Sequence, residues 1–108
     1  MNKKIEFDYD NKHYTLEYNR AAIAFIEKQG FSINELSDKP MVMLPLAFTG
    51  LFFKNHKTVN QKVIDEIYAK FTNKELLIQT IAEMLTEAYD SLQAEPEDTV
   101  GNIEWKIV

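Results

Sequence analysis

Polar and apolar positions alternate with a period of two over residues 3 to 9, where Ile5, Phe7 and Tyr9 share one side and Glu6 and Asp8 the other. Asp10-Asn11-Lys12 has turn chemistry, and residues 13 to 18 resume the alternation with Tyr14, Leu16 and Tyr18 against Thr15 and Glu17. The pattern predicts a β-hairpin over residues 3–18 with a single apolar face. A two-stranded hairpin is marginal in water, so that face must lie on helices, on another strand or on a neighbouring subunit.

From residue 19 the period lengthens to that of a helix. Asn19 is a good N-cap for a helix from Arg20 to Gln29, and Gly30-Phe31 matches a left-handed C-terminal cap with Phe31 folded back onto Ile26. Ala22, Ile23, Phe25 and Ile26 spread around more than half of that helix, which predicts cover from two sides. Ser32-Ile33-Asn34-Glu35 reads as a capping box opening a short helix that ends near Asp38-Lys39-Pro40, because a residue before proline avoids the helical region. Residues 41 to 53 are apolar nearly all round and are ended by Lys54-Asn55-His56-Lys57. Pro45 in a helix interior would cost about 3 kcal/mol, so it either sits in the first turn or kinks the helix. Thr58 with Gln61 and Thr72 with Glu75 read as two more capping boxes, for amphipathic helices of roughly 59–71 and 73–93 joined as a helical hairpin. Ile64, Ile67, Tyr68 and Phe71 line the first; Leu77, Ile81, Met84, Leu85, Ala88 and Leu92 line the second.

After Leu92 the composition shifts. No basic residue falls between Glu75 and Trp105, whereas Glu83, Glu87, Asp90, Glu95, Glu97 and Asp98 do. Gln93 to Gly101 reads as a solvated linker. Ile103, Trp105 and Ile107 then alternate with Glu104 and Lys106, a strand pattern that needs an edge to pair with, in the same chain's hairpin, a neighbouring subunit or a partner. The expected class is α+β, mainly helical: an N-terminal β-hairpin packed on four or five helices, with a possible short C-terminal strand. Residues 1–93 form one compact domain (hairpin 3–18, helices 20–93), and residues 94–108 an acidic linker and C-terminal strand or tail.

At 108 residues there is room for one core, and 45% hydrophobic with 27% charged residues is the composition of a folded, soluble chain. Zero cysteines exclude disulfides, thiol nucleophiles and cysteine-based metal sites, and make a reducing compartment the natural one. A formal net charge of −5 argues against phosphate tracking as the main activity. The first residues lack the apolar region of a secretion signal, and the longest uncharged stretch, residues 40 to 53, falls short of the ~20 apolar residues of a membrane span.

Candidate chemistry is thin. Glu83, Glu87 and Asp90 share a helix face at i, i+4 and i+7 and could hold a hard cation, yet no histidine or second carboxylate helix completes a bundle site, so a solvated face is favoured. His13 opens a strand and His56 lies in a polar loop; both read as surface histidines. Lys54, His56, Lys57, Lys62 and Lys70 read as a solvated helix start rather than a nucleic-acid patch, since Gly-rich loops and interleaved aromatics are missing. Ser32, Ser37 and Ser91 lie outside any nucleophile elbow. No catalytic, cofactor-binding or metal-binding set emerges, and no enzyme is expected.

The Met- and Phe-rich stretch differs in kind. Pattern alone favours a central core helix, and the sharper alternative is a partly exposed recognition surface, because methionine adapts to varied apolar partners and aromatic rings carry large contact area.

The order of elements, with N-R-x-x-I at Asn19 to Ile23, Gly30-Phe31, the stretch Lys39-Pro40 to Leu46, Phe53-Lys54-Asn55-His56-Lys57 and the closing Gly101-Asn102-Ile103-Glu104-Trp105, resembles the tail assembly chaperones of tailed phages and prophages of Gram-positive bacteria. The resemblance spans nearly the whole chain and rests on structural signatures. It implies a non-enzymatic, oligomeric factor of the host bacterial cytoplasm, absent from the mature virion, that binds the phage tape measure protein, keeps it soluble and promotes assembly of the tail tube protein around it. It carries over no site residues. Those expected to bind a partner come from the pattern: Met41, Met43, Leu44, Phe48, Leu51 and Phe52 as client cover, and Ile103, Trp105 and Ile107 as a strand added to a neighbour. The rival reading is a small acidic inhibitor, a DNA mimic occupying a host nucleic-acid-binding protein, carried by the negative cluster near the C-terminus.

Overall fold

A computed structural model describes residues 3–92 and 101–108. Strands β1 (Ile5–Tyr9) and β2 (Lys12–Leu16) form one antiparallel sheet and are followed by α1 (Arg20–Lys28), a 3-10 turn (Ile33–Glu35), α2 (Pro40–Gly50), α3 (Gln61–Lys70) and α4 (Lys74–Asp90). The fold is α+β, with the hairpin laid on a layer of helices.

The hairpin register runs from Tyr9↔Lys12 at the turn to Ile5↔Leu16 at the open end. Asp10 (φ 52°) and Asn11 (φ 62°) make the two-residue turn, whose positive φ values these side chains tolerate best after glycine. Tyr14 and Leu16 are buried, and Phe7 stacks on Tyr14 with ring centroids 5.1 Å apart while meeting Phe71 edge-on at 4.9 Å. The apolar face thus lies on the helices, as a lone hairpin requires.

Helix α2 occupies the centre, packed against α1, α3 and α4. A helix with neighbours on three sides has no long polar stripe, which accounts for its apolar circumference. Its buried residues are Met43, Ala47, Phe48 and Gly50, and Leu51 and Phe52 continue the core past its end. Pro40 takes the first helical position, where its missing N–H is no loss, and Pro45 lies in the interior. The carbonyl that Pro45 leaves without an intrahelical donor belongs to Met41, in the exposed first turn.

Helix ends follow local chemistry at α1: Asn19 accepts from the Ala22 N–H at 2.7 Å, Gly30 has φ 106°, and the N–H of buried Phe31 donates to the Ile26 carbonyl at 3.0 Å. Three expected capping boxes are corrected. Asn60 and Asn73, not Thr58 and Thr72, cap α3 and α4, accepting from the Val63 and Leu76 N–H groups. Val59 and Phe71 pack on the core, which sets the chain's entry into each helix one or two residues later than the boxes suggest. Ser32 makes no side-chain cap bond, and only one 3-10 turn follows, because Asp38 and Lys39 already donate back to the Glu35 carbonyl before Pro40 opens α2. Helices α3 and α4 are joined by residues 71–73, but each leans on α2 more than on the other.

The expected C-terminal strand is also corrected: residues 101–108 form no strand and every one is exposed. A strand needs a partner edge, and the segment pairs with none among the described residues. Most of the acidic linker, residues 94–100, lies outside the described residues. Among the described residues, no helix is long and apolar enough to cross a membrane.

Candidate functional site

The apolar side chains expected to meet a partner separate into two groups. Met43, Phe48, Leu51 and Phe52 are core residues, Phe48 being 1% exposed, so their assignment to a docking surface is corrected. Their rings and methyls are consumed inside: Phe48 meets Phe52, Tyr68 and Phe71 with centroids 5.3, 5.0 and 5.5 Å away. Only the first turn of α2 protrudes beyond its neighbours. There Met41 is 88% exposed, Val42 is exposed and Leu44 half-buried. Ile103, Trp105 (78% exposed) and Ile107 stand in solvent together with Val108. Val42, Leu76 and Val108 are exposed apolar residues that the sequence pattern did not single out, and Leu92, expected to line the apolar face of the last helix, is corrected to an exposed residue just past the end of α4.

The hairpin edges are unequal. Along the outer edge of β2 the Thr15 N–H donates to His56 Nε2 at 3.1 Å, Asn55 Nδ2 donates to the Thr15 carbonyl at 3.1 Å, and the Glu17 N–H donates to the Leu51 carbonyl at 3.2 Å. The loop after α2 therefore seals that edge. It also holds the buried Glu17, whose carboxylate accepts from Asn55 Nδ2 at 2.9 Å and Lys54 Nζ at 3.0 Å. The Asn55 bond, with help from Lys54 and against the effect of burial, holds this carboxyl below its ordinary 4.5. His56, read from sequence as a surface histidine, is half-buried beside Tyr14 at 4.9 Å. Burial first, and then the nearby Lys12 charge, push its imidazole below the ordinary 6.5. The bond from Thr15 needs the lone pair of a neutral ring.

A family model matches residues 1–108 and describes a domain of unknown function, DUF5055. The chain belongs to the DUF5055 family. No curated protein and no solved structure gave a match.

The remaining polar groups of this DUF5055 domain tie its elements together. Lys3 bridges to α4, its ammonium pairing with Glu83 and its N–H donating to Glu87 at 3.3 Å. Tyr18 donates to the Ala47 carbonyl at 2.6 Å, and Tyr89 donates to Glu27 at 2.6 Å; burial pushes both phenols upward. His13 lies between Asp8 (2.7 Å) and Glu6 (3.2 Å), whose hydrogen bonds raise its proton affinity. Lys57 and Lys70 lie over the rings of Phe53 and Tyr9, and Lys54 is taken by Glu17, so the loop and helix lysines do not converge on one patch. Ser91 donates to the Ala88 carbonyl at 2.6 Å. Among the described residues, no group of three or more His, Cys, Asp or Glu could hold a metal ion.

Proposed function

We propose that this protein is a non-enzymatic assembly chaperone that covers apolar helices of a longer client, in the manner of the phage tail assembly chaperones it resembles. The client is a tape measure protein in the host bacterial cytoplasm, with the tail tube protein assembling around the covered chain. One observation carries the reading: in a chain of net charge −5, bulky apolar side chains are left in water, among them Met41 and Val42 beside half-buried Leu44, and Ile103, Trp105, Ile107 and Val108. Each such side chain buried on a client contributes about 1.5 to 3 kcal/mol before ordering costs.

The test is co-expression with a tape measure protein encoded beside a tail tube gene, scoring how much client remains in solution. The wild-type chain is expected to keep the client soluble, and the triple replacement Met41→Ser, Val42→Ser, Leu44→Ser to lose that effect while keeping its helical circular dichroism. Client solubility unaffected by the triple replacement removes α2 from the reading. The apolar contact should also survive a rise from about 0.1 to 1 M salt, over which the screening length shortens from about 10 to 3 Å. Release of the client over that range favours an ionic contact and sinks the proposal.

A further inference from the structure

The hydrogen bonds that leave β2 outward fix which groups of β1 face away from the sheet. Thr15 spends both its N–H and its carbonyl on the loop, so its pair with Glu6 is a non-hydrogen-bonded one, and the main-chain groups of Glu6 and, two residues on, Asp8 point to the outer side of β1. Among the described residues, no hydrogen bond reaches the N–H or carbonyl of Glu6 or Asp8 there. Two adjoining apolar depressions run beside this open edge on the core side. One, of about 330 Å³, is lined by Phe7, Tyr9, Ile67 and Phe71; the other, of about 360 Å³, by Ile5, Phe71, Leu76 and Leu77.

The same chain carries an unpaired strand sequence. Ile103, Trp105 and Ile107 recur every second residue, as the side chains of a β-strand on one face must, and all three stand exposed. We propose that the C-terminal segment 101–108 of a second copy adds to the β1 edge, parallel to β1, with its apolar side chains over the two depressions and Lys106 beside Glu6. Charge selects the direction. In the parallel register, Lys106 lies beside Glu6 and Glu104 beside Lys4, opposite signs in both places; the antiparallel register that keeps Lys106 at Glu6 sets Glu104 against Asp8. The segment stands clear of the edge of its own chain, so strand and edge are both unsatisfied in one molecule and both satisfied by a head-to-tail contact. Such a contact is heterologous and repeats from copy to copy, in a ring if the rotation closes and in an open chain if it does not. This deepens the function proposed above by naming where copies join, and rests on it only in taking the exposed C-terminal side chains as a contact surface.

The chain has no cysteine, which permits a direct test. A Glu6→Cys protein is mixed with a Lys106→Cys protein under mild oxidation, without any client; both positions are exposed, so the folds are retained. Mixed disulfide dimers are expected well above the amount either protein forms alone, and adding Trp105→Ser to the Lys106→Cys protein should lower their yield about tenfold, as loss of a central aromatic anchor does. Mixed dimers no more abundant than the single-protein background, or unchanged by Trp105→Ser, overturn the proposal. So does complete conversion of a Glu6→Cys/Lys106→Cys double variant to an internally bridged monomer, which places the segment on its own β1. Because no client is present, failure here leaves client cover by α2 standing, and failure of client cover leaves this contact standing.

Discussion

Replacing Phe48 by Ala separates the two halves of the Met- and Phe-rich segment. The ring is 1% exposed and touches three aromatic neighbours from three places: Phe52 beyond α2, Tyr68 on α3 and Phe71 in the link to α4. Neighbours anchored in different elements cannot close together over the space the ring leaves. The loss should therefore reach the upper part of the 3–5 kcal/mol known for buried Phe→Ala changes, or about 4 kcal/mol. Against a total stability of about 5–15 kcal/mol this is a large share. With a urea dependence of about 2 kcal/mol per molar, the unfolding midpoint followed by circular dichroism should fall by about 2 M. Met41→Ser, in the exposed first turn of the same helix, should change stability by no more than about 0.5 kcal/mol. A Phe48→Ala loss below about 1 kcal/mol, or a Met41→Ser loss of equal size, would refute the division of α2 into sealed and open parts. The result also fixes how client binding is to be probed, since a Phe48 or Phe52 replacement weakens the fold that presents any such surface.

Two further outcomes follow from single contacts. A Cβ added at Gly50 would lie 2.8 Å from Ile26 Cγ2 and 3.2 Å from its Cδ1; Cγ2 is fixed to the backbone-proximal carbon of a fully buried side chain, so overpacking of about 1–3 kcal/mol should outweigh a helix-propensity gain of at most about 1 kcal/mol. Gly50→Ala should lower the urea midpoint, and a midpoint unchanged or raised contradicts the close α1–α2 approach. His56 has a folded proton affinity below the ordinary 6.5, so below that pH the unfolded chain binds more protons and stability falls as pH drops through the lowered value. His56→Gln keeps an acceptor for the Thr15 N–H and does not titrate, so between about pH 7 and 5 its stability should gain on that of wild type as the pH falls. His13 has the opposite sign, its contribution being present below 6.5 and lost as pH rises through its raised value, and it is common to both proteins. Parallel pH curves for the two proteins would remove the neutral-ring bond.

What could be read from the chain was what is decided locally. The period-two runs around Asp10-Asn11 give the hairpin, and Asn19 with Gly30-Phe31 gives α1, because each rests on residues within a few positions of one another. The apolar circumference of α2 announces burial but contains no contrast that would say which turn protrudes. That is decided by α1, α3 and α4, and it is why Met43, Phe48, Leu51 and Phe52 were grouped with Met41 and Leu44. The caps at Asn60 and Asn73 were missed because two acceptors stand within two residues and core packing of Val59 and Phe71 chooses between them. The sealing of β2 by Lys54, Asn55 and His56 joins residues 37 to 41 positions apart, a distance at which polar residues in a loop look like any solvated run.

The inequality of the two hairpin edges bears on which contacts a copy of this chain could make. An open edge is a template for any extended segment, and proteins that must remain single close it or charge it. Here β2 is closed by the loop, at the expense of burying Glu17, while β1 carries Glu6 and Asp8 on its outward face. Two β1 strands meeting edge to edge would set these carboxylates against one another, which disfavours hairpin-to-hairpin pairing. A strand bearing Lys106 meets no such repulsion at Glu6, because Glu6 and Asp8 carry two negative charges and His13, held between them, compensates at most one. The same residues thus discriminate against self-pairing of β1 while leaving the edge usable by the C-terminal segment, which is the asymmetry a head-to-tail contact requires.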